Sequence, residues 1–367
     1  NDPTPDEKNG DWAVEQLRAL AATKAKNRKP FFMGVGFIRP HTPLIVPQKF
    51  FDMFPVDKIS LPEILDGDIE DTFAQTIRGL PEGKEPNSER TEDMGSKLFH
   101  KLVESYESRD EALRHFIQAY LASIASVDEQ VGRILDVIDT TELKDNTIIV
   151  LTSDHGWGMG EKDYLYKNSL WQESTRIPLI VRAPGIALAD TTCNRPVSLV
   201  DIYPTLCDLC DLEGDTMKNE KGHPLDGHSF RPLLEDPTNG TWTGPSEALT
   251  ALYKWRMKYD PHEESYALRS SDWRYIRYEN GKEELYNTAS DPNEWENLAT
   301  KTKHEDRIQR FRQTLASRLP EKGVVPPQPQ WKAPGKPEPK SNEYWKDLYF
   351  KKNPDADADK DGTLSWP

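Results

Sequence analysis

Five side chains in this sequence are of the types that handle a tetrahedral anion: Arg39, His41, Asp154, His155 and Lys167. Asp154 and His155 close the apolar run in "TIIVLTSDHGWGMGEKDYLYKNSLW", residues 147–171. A carboxylate is a hard oxygen donor to a divalent cation, and imidazole is a second type of metal ligand. Adjacent residues reach one ion only from a tight turn, because strand side chains alternate between faces. Gly156 supplies that turn, by close backbone approach or by positive φ. Each residue also has a plainer reading. Asp154 alone would serve as a helix N-cap, His41 alone as a core histidine bonded to backbone, and Lys167 alone as a solvated charge. Together they describe a metal, a cationic lysine that offsets negative charge, and a histidine that protonates a leaving oxygen. Gly156, Gly158 and Gly160 do not match G-x-G-x-x-G, since the last spacing is one residue short, so they do not form a dinucleotide cradle.

Such groups must be delivered by elements that end at the site. In open α/β sheets, functional groups gather at the carboxyl ends of strands. "PFFMGVGFI" (residues 30–38) is a continuous apolar run, the pattern of a strand buried on both faces. It ends at "RPHTP", a stiff segment that delivers Arg39 and His41. The second strand, residues 147–152, ends at Asp154 and His155. Between them Leu113, Phe116, Ile117, Tyr120, Ile124, Val127, Val131, Ile134, Leu135 and Ile138 recur at helical spacing, which predicts a long amphipathic helix on a sheet. A helix over residues 12–23, a strand over 177–184 and a helix over 198–212 complete an α/β pattern. Residues 62–97 are polar and acidic and read as a surface excursion. Residues 249–284 alternate and carry an Asn280-Gly281 hairpin turn. "DPNEWENLA" then opens a closing helix that runs to residue 319. Three units are expected: residues 1–245 as part of a large α/β domain, 246–320 as a small antiparallel α+β unit, and 321–367 as a tail rich in Pro and Lys.

With 367 residues the chain can hold one large domain and a smaller one. A formal charge of −15 argues against nucleic acid and anionic membranes as partners, because no basic surplus exists to neutralise phosphates. It leaves an anionic substrate open, since local charge can oppose net charge. No apolar run approaches the length of a membrane helix. Cys207 and Cys210 form a C-x2-C pair and Cys193 stands apart, which excludes a four-cysteine zinc site. The N-terminus has no apolar core of a signal peptide and reads as the interior of a protein. In "DADADKDGTLSWP", Asp357, Asp359, Asp361 and Thr363 fall at positions 1, 3, 5 and 7 of a calcium loop, with Gly362 at position 6. The bidentate Glu of position 12 would fall at residue 368. The other reading of this stretch is an acidic solvated tail.

"FFMGVGFIRPHTPLIVPQKFFDMFP" and "IIVLTSDHGWGMGEKDYLYKNSLWQESTRIPLIVRAPG" resemble a type I sulfatase of the alkaline-phosphatase superfamily, in the style of its iduronate-2-sulfatase-like branch. "VSLVDIYPTLCDL", "PLDGHSFRPLL" and "WRYIRYENGKEELYNTASDPNEWENLA" resemble its later segments, so the likeness covers residues 12–320. It implies a mixed α/β sheet flanked by helices, with a small C-terminal antiparallel sheet plus helix. It implies hydrolysis of sulfate esters, on a sulfated carbohydrate, by a formylglycine- and calcium-dependent mechanism in a secreted, periplasmic or extracellular protein. In that frame Asp154 and His155 are the later pair of Ca2+ ligands, Lys167 holds the sulfate, and His41 contacts the sulfate and the leaving oxygen. Calcium prefers oxygen, which makes Asp154 the firmer ligand. Arg39 either contacts substrate or braces its loop. The sequence departs from the family in one large respect. No Cys or Ser lies in a C/S-x-P-x-R motif, and the first-strand pair of Asp ligands is absent. The expectation is therefore half a site, completed by a missing N-terminal segment of the same domain. The alternatives are a phosphodiesterase or phosphonate hydrolase of the same superfamily, and a non-catalytic calcium-binding fragment.

Overall fold

Thr4 sets the start of the first helix. Its hydroxyl accepts from Glu7 N at 3.2 Å, and the Glu7 carboxylate accepts from Thr4 N at 2.7 Å. This reciprocal cap, with proline in the first turn, begins the helix at residue 5 rather than at residue 12. In chain order the elements are α1 (Pro5–Ala22), α2 (Gln48–Phe51), α3 (Met94–Val103), α4 (Arg109–Asp139), β1 (Ile149–Thr152), α5 (Gln172–Thr175), β2 (Leu179–Arg182), α6 (Ile202–Leu209), α7 (Arg231–Glu235), β3 (Ala248–Leu252), β4 (Ser265–Arg269), β5 (Trp273–Arg277), β6 (Glu283–Asn287) and α8 (Glu305–Arg318). The computed structural model describes residues 2–23, 29–72, 94–212, 224–253 and 260–322. Asn1–Leu319 form one unit and Pro320–Pro367 another. The calcium-loop residues Asp357, Asp359, Asp361 and Thr363 lie outside the described residues.

The long helix α4 packs on α1 through Val14, Leu17, Val137 and Ile138. Gly10 lets the two approach, since a Cβ there would lie 2.4 Å from Gln130 Oε1. The contact face of α4 is partly polar: Ser123, Ser126 and Gln130 are buried, whereas Ile124, expected in the core, is exposed. The other end of α4 buries Leu113 against Phe99 of α3 and Leu165.

Residues 29–38 correct the expectation of a strand buried on both faces. They form no regular element, and no described strand pairs with them. Phe31 and Met33 pack towards α1 and α4, while Phe32 is 86% exposed. Side chains of α1 meet the backbone of this segment instead. The buried Asp6 accepts from Ile38 N at 2.7 Å and Arg39 N at 3.1 Å, and Asn9 donates to Gly36 O at 2.8 Å. A continuous apolar run therefore marked a segment half-buried on one face and held along its edge by a helix.

β1 and β2 pair antiparallel, Ile149 opposite Arg182. The predicted helix over 198–212 is a 3-10 turn, Leu199–Asp201, that leads into α6. β3 to β6 form a second antiparallel sheet in sequence order. Its last hairpin turns at Asn280-Gly281, with Gly281 at φ 78°. The closing helix starts at Glu305, later than "DPNEWENLA" indicates. Asp291 instead caps an irregular turn, its carboxylate accepting from Glu296 N at 2.9 Å. α8 covers one face of this sheet with Ile308, Phe311 and Leu315 against Leu268, Tyr275 and Leu285. The opposite face, through Ala267, Ile276, Tyr278 and Tyr286, packs on Tyr164, Leu170 and Trp171. The segment that follows β1 is thus seated directly on the small sheet.

Candidate functional site

Lys167 and His41 are 126 residues apart in sequence, yet Lys167 Nζ lies 3.1 Å from His41 Nε2. His41 Nδ1 lies 2.6 Å from the Thr42 carbonyl oxygen. A carbonyl oxygen only accepts, so Nδ1 carries a proton and Nε2 is left to accept from the lysine ammonium. The loop that carries His41 is held from several sides. Prolines 40 and 43 follow cis peptide bonds. Arg39 Nε donates to Ile45 O at 3.2 Å and its NH1 donates to His41 O at 3.4 Å. These contacts put Arg39 in the position of a brace across the loop. Below it sits the Asp6 carboxylate, a partner that the sequence reading did not single out.

Asp154 lies just beyond the end of β1, with its side chain 84% exposed. Its Oδ1 accepts from His155 N at 3.0 Å, and its Oδ2 lies 3.5 Å from His155 Nε2. His155 Nδ1 lies 2.9 Å from Gly156 O, so this nitrogen too carries a proton. Nε2 then turns its lone pair towards a carboxylate oxygen. Two electron-rich atoms so placed call for a second ring proton or a cation between them. Their 3.5 Å separation matches adjacent corners of a shell with 2.3–2.6 Å bonds, roughly 3.4 Å apart. The pair fits a divalent cation as a partial donor set. Among the described residues no group of three His, Cys, Asp or Glu side chains is gathered around one point.

Gly156 is explained by close approach rather than by positive φ. A Cβ there would lie 2.0 Å from Glu173 O and 3.1 Å from Arg176 O. Gly156 N donates to Ser174 O at 2.9 Å, so the backbone at α5 presses on the Asp-His-Gly turn. Gly158 N and Gly160 N donate to Tyr166 O and Tyr164 O at 2.9 and 3.0 Å. The glycine segment therefore runs beside residues 164–166 and carries Lys167 back towards His41.

Under this loop lies a set of buried charges. Lys162 Nζ donates to Asp68 Oδ1 at 2.8 Å and to Glu294 O at 2.6 Å. The Glu294 carboxylate pairs with Arg274. Burial raises Asp68 to about 6, with Lys162 opposing the rise. Burial raises Glu173 to about 7, reinforced by Glu294 and Glu161. Asp68 lies in the stretch read as polar surface, and it is buried.

A family model described as "Sulfatase" matches residues 3–212, and one described as "N-sulphoglucosamine sulphohydrolase, C-terminal" matches residues 160–321. The chain is 32% identical over 314 residues to a "Sulfatase" of Formosa agariphila, which covers 85% of this chain and 53% of that protein. It is 32% identical over 218 residues to the iduronate 2-sulfatase of Homo sapiens, covering 55% of this chain and 34% of that one. The chain spans about half the length of the first curated relatives it matches. In fold it is similar to BT4656 in complex with its substrate D-glucosamine-2-N,6-O-disulfate, at a TM-score of 0.65 and 21% identity over 86% of this chain and 69% of that one. It is also similar to the phosphonate monoester hydrolase of Agrobacterium radiobacter, at a TM-score of 0.63 and 25% identity over 84% and 60%.

Proposed function

The chain belongs to the sulfatase family, and we propose on that premise that the protein hydrolyses sulfate esters of a carbohydrate. The observation that carries this reading is the Lys167–His41 contact at 3.1 Å. In the proposed reaction Lys167 Nζ lies against the sulfuryl oxygens and offsets their charge. Cleavage of the S–O bond leaves a sugar alkoxide, a poor leaving group that needs a proton. As that oxygen departs, the Lys167 ammonium gives a proton to it through Nε2 of His41, and Lys167 leaves the step as the neutral amine. Arg39 and Asp6 keep His41 in place during this transfer.

Asp154 and His155 are the residues of this chain that would hold a divalent cation, read here as calcium. When bound, the ion supplies Lewis-acid polarisation of the ester oxygens. We read the nucleophile as formylglycine, supplied by a segment outside these 367 residues, since the sequence has no C/S-x-P-x-R motif. Among the described residues no helix is long and apolar enough to cross a membrane. The family likeness favours a secreted or periplasmic protein. A phosphonate monoesterase is the second reading, because a solved structure of that activity is 25% identical. The test is release of inorganic sulfate from sulfated saccharides by the complete polypeptide, with and without calcium, beside hydrolysis of a phosphonate monoester. Sulfate release that falls on chelation is expected. Faster turnover of the phosphonate would replace the first reading with the second.

A further inference from the structure

We infer that Lys162 is the positioning residue for Lys167, acting through the small sheet that grips both feet of the loop between them. The inference rests on the proposed role of Lys167. Lysine is almost never fully buried unless paired, and Lys162 has 1% of its side chain exposed. Its backbone is left-handed at φ 55°, as is that of Asp163 at φ 49°. Two consecutive non-glycine residues in that region are strained and persist only where surrounding contacts hold them. Here the contacts are specific. Nζ donates to Asp68 and to the backbone oxygen of Glu294, and it lies 5.7 Å over the Trp171 ring and 5.3 Å over the Tyr286 ring. This fixes one foot of the loop.

The other foot is fixed by the same few residues. Glu294, itself left-handed at φ 57° and fully buried, accepts from Gln172 N at 3.0 Å. Arg274 donates to Leu170 O at 3.3 Å and to Thr175 Oγ1 at 2.9 Å. Trp171 Nε1 donates to Glu284 Oε2 at 2.9 Å. Glu294 touches both feet, through its carbonyl on Lys162 and its carboxylate on Gln172. Lys167 stands between the feet, five residues after Lys162 and three before Leu170, and is itself only partly buried. A flexible lysine gains a defined place only if its loop is rigid. The small sheet and the turn after it that carries Glu294 thus act on the reaction by holding the span from which Lys167 reaches His41.

The test uses the complete polypeptide and four forms: wild type, Lys162→Met, Lys162→Met with Asp68→Asn, and Lys167→Ala. Readouts are kcat and KM on a sulfate ester, thermal midpoint, and amide exchange of residues 160–171 against β4 to β6. Lys162→Met is expected to lower kcat about tenfold to a hundredfold with KM little changed, as a misplaced reacting group does. Exchange should rise in residues 160–171 and not in the sheet. The double variant leaves no buried unpaired carboxylate at residue 68, so its thermal midpoint should recover while kcat stays low. Recovery of kcat together with the midpoint would reduce Lys162 to a structural residue and overturn the inference. So would faster loop exchange with unchanged kcat. If Lys167→Ala retains full activity, the proposed role of Lys167 fails instead, and the exchange data still report whether Lys162 holds the loop.

Discussion

Glu173→Gln should flatten part of the dependence of stability on pH. The Glu173 carboxyl is raised from 4.5 to about 7, first by burial and then by the neighbouring Glu294 and Glu161 charges, with Arg274 opposing. Between those two values the folded chain holds a proton that the unfolded chain releases. Stability therefore falls as pH rises from about 4.5 to about 7, and the fall is complete above that. At 1.36 kcal/mol for each tenfold change in proton affinity, the loss is on the order of 3 kcal/mol. Asp68, raised to about 6, adds a loss of the same sign at lower pH. Glutamine mimics the protonated acid and cannot ionise. Urea unfolding of the chain at pH 5 and pH 8, followed by tryptophan fluorescence, measures the effect. The variant should exceed wild type only slightly at pH 5 and by about that amount at pH 8. Equal pH dependence in the two proteins, or a larger deficit of the variant at pH 8 than at pH 5, would refute a Glu173 carboxyl raised to about 7.

Two further substitutions probe the turn at the end of β1. Gly156→Ala places a methyl group 2.0 Å from the Glu173 carbonyl oxygen, which as backbone cannot swing aside. It should cost about 1–3 kcal/mol or more, read as a lower urea midpoint, and disturb Asp154 and His155 with it. Asp154→Ala removes the oxygen donor of the proposed cation pair and should raise the calcium concentration needed for half-maximal activity, measured by titration after chelation. An unchanged calcium requirement would remove Asp154 from the ligand set.

The parts of the structure that were legible in the sequence are those with local signatures. Helical spacing gave α4, the apolar run ending in Asp-His-Gly gave β1 and its turn, and Asn280-Gly281 gave the last hairpin. His41 and Lys167 were named by residue type together with the family resemblance, and the fold brings them into contact. What was missed depends on partners distant in sequence. Lys162 and Asp68 are 94 residues apart, and nothing in "GEKDY" marks a lysine that will be buried. Asp68 sat in an acidic stretch that composition assigns to the surface, because composition does not register a single paired carboxylate. Residues 30–38 misled in the opposite way. A continuous apolar run says that a segment avoids water on both sides, yet it does not say what covers each side, and Phe32 is exposed among the described residues. The start of α1 was legible in Thr4 and Glu7, a capping pair that the apolar pattern obscured.

The central claim is that Lys167 and His41 act together on one leaving group. The direct measurement is kcat/KM for a sulfated saccharide in the complete polypeptide bearing Lys167→Ala, His41→Ala, or both. The account predicts a loss of about 10²-fold or more for each single change, and a double variant that loses little beyond the worse single, as expected of residues that act as a unit. Full activity in either single variant, or losses that multiply as if the two side chains were independent, would contradict it.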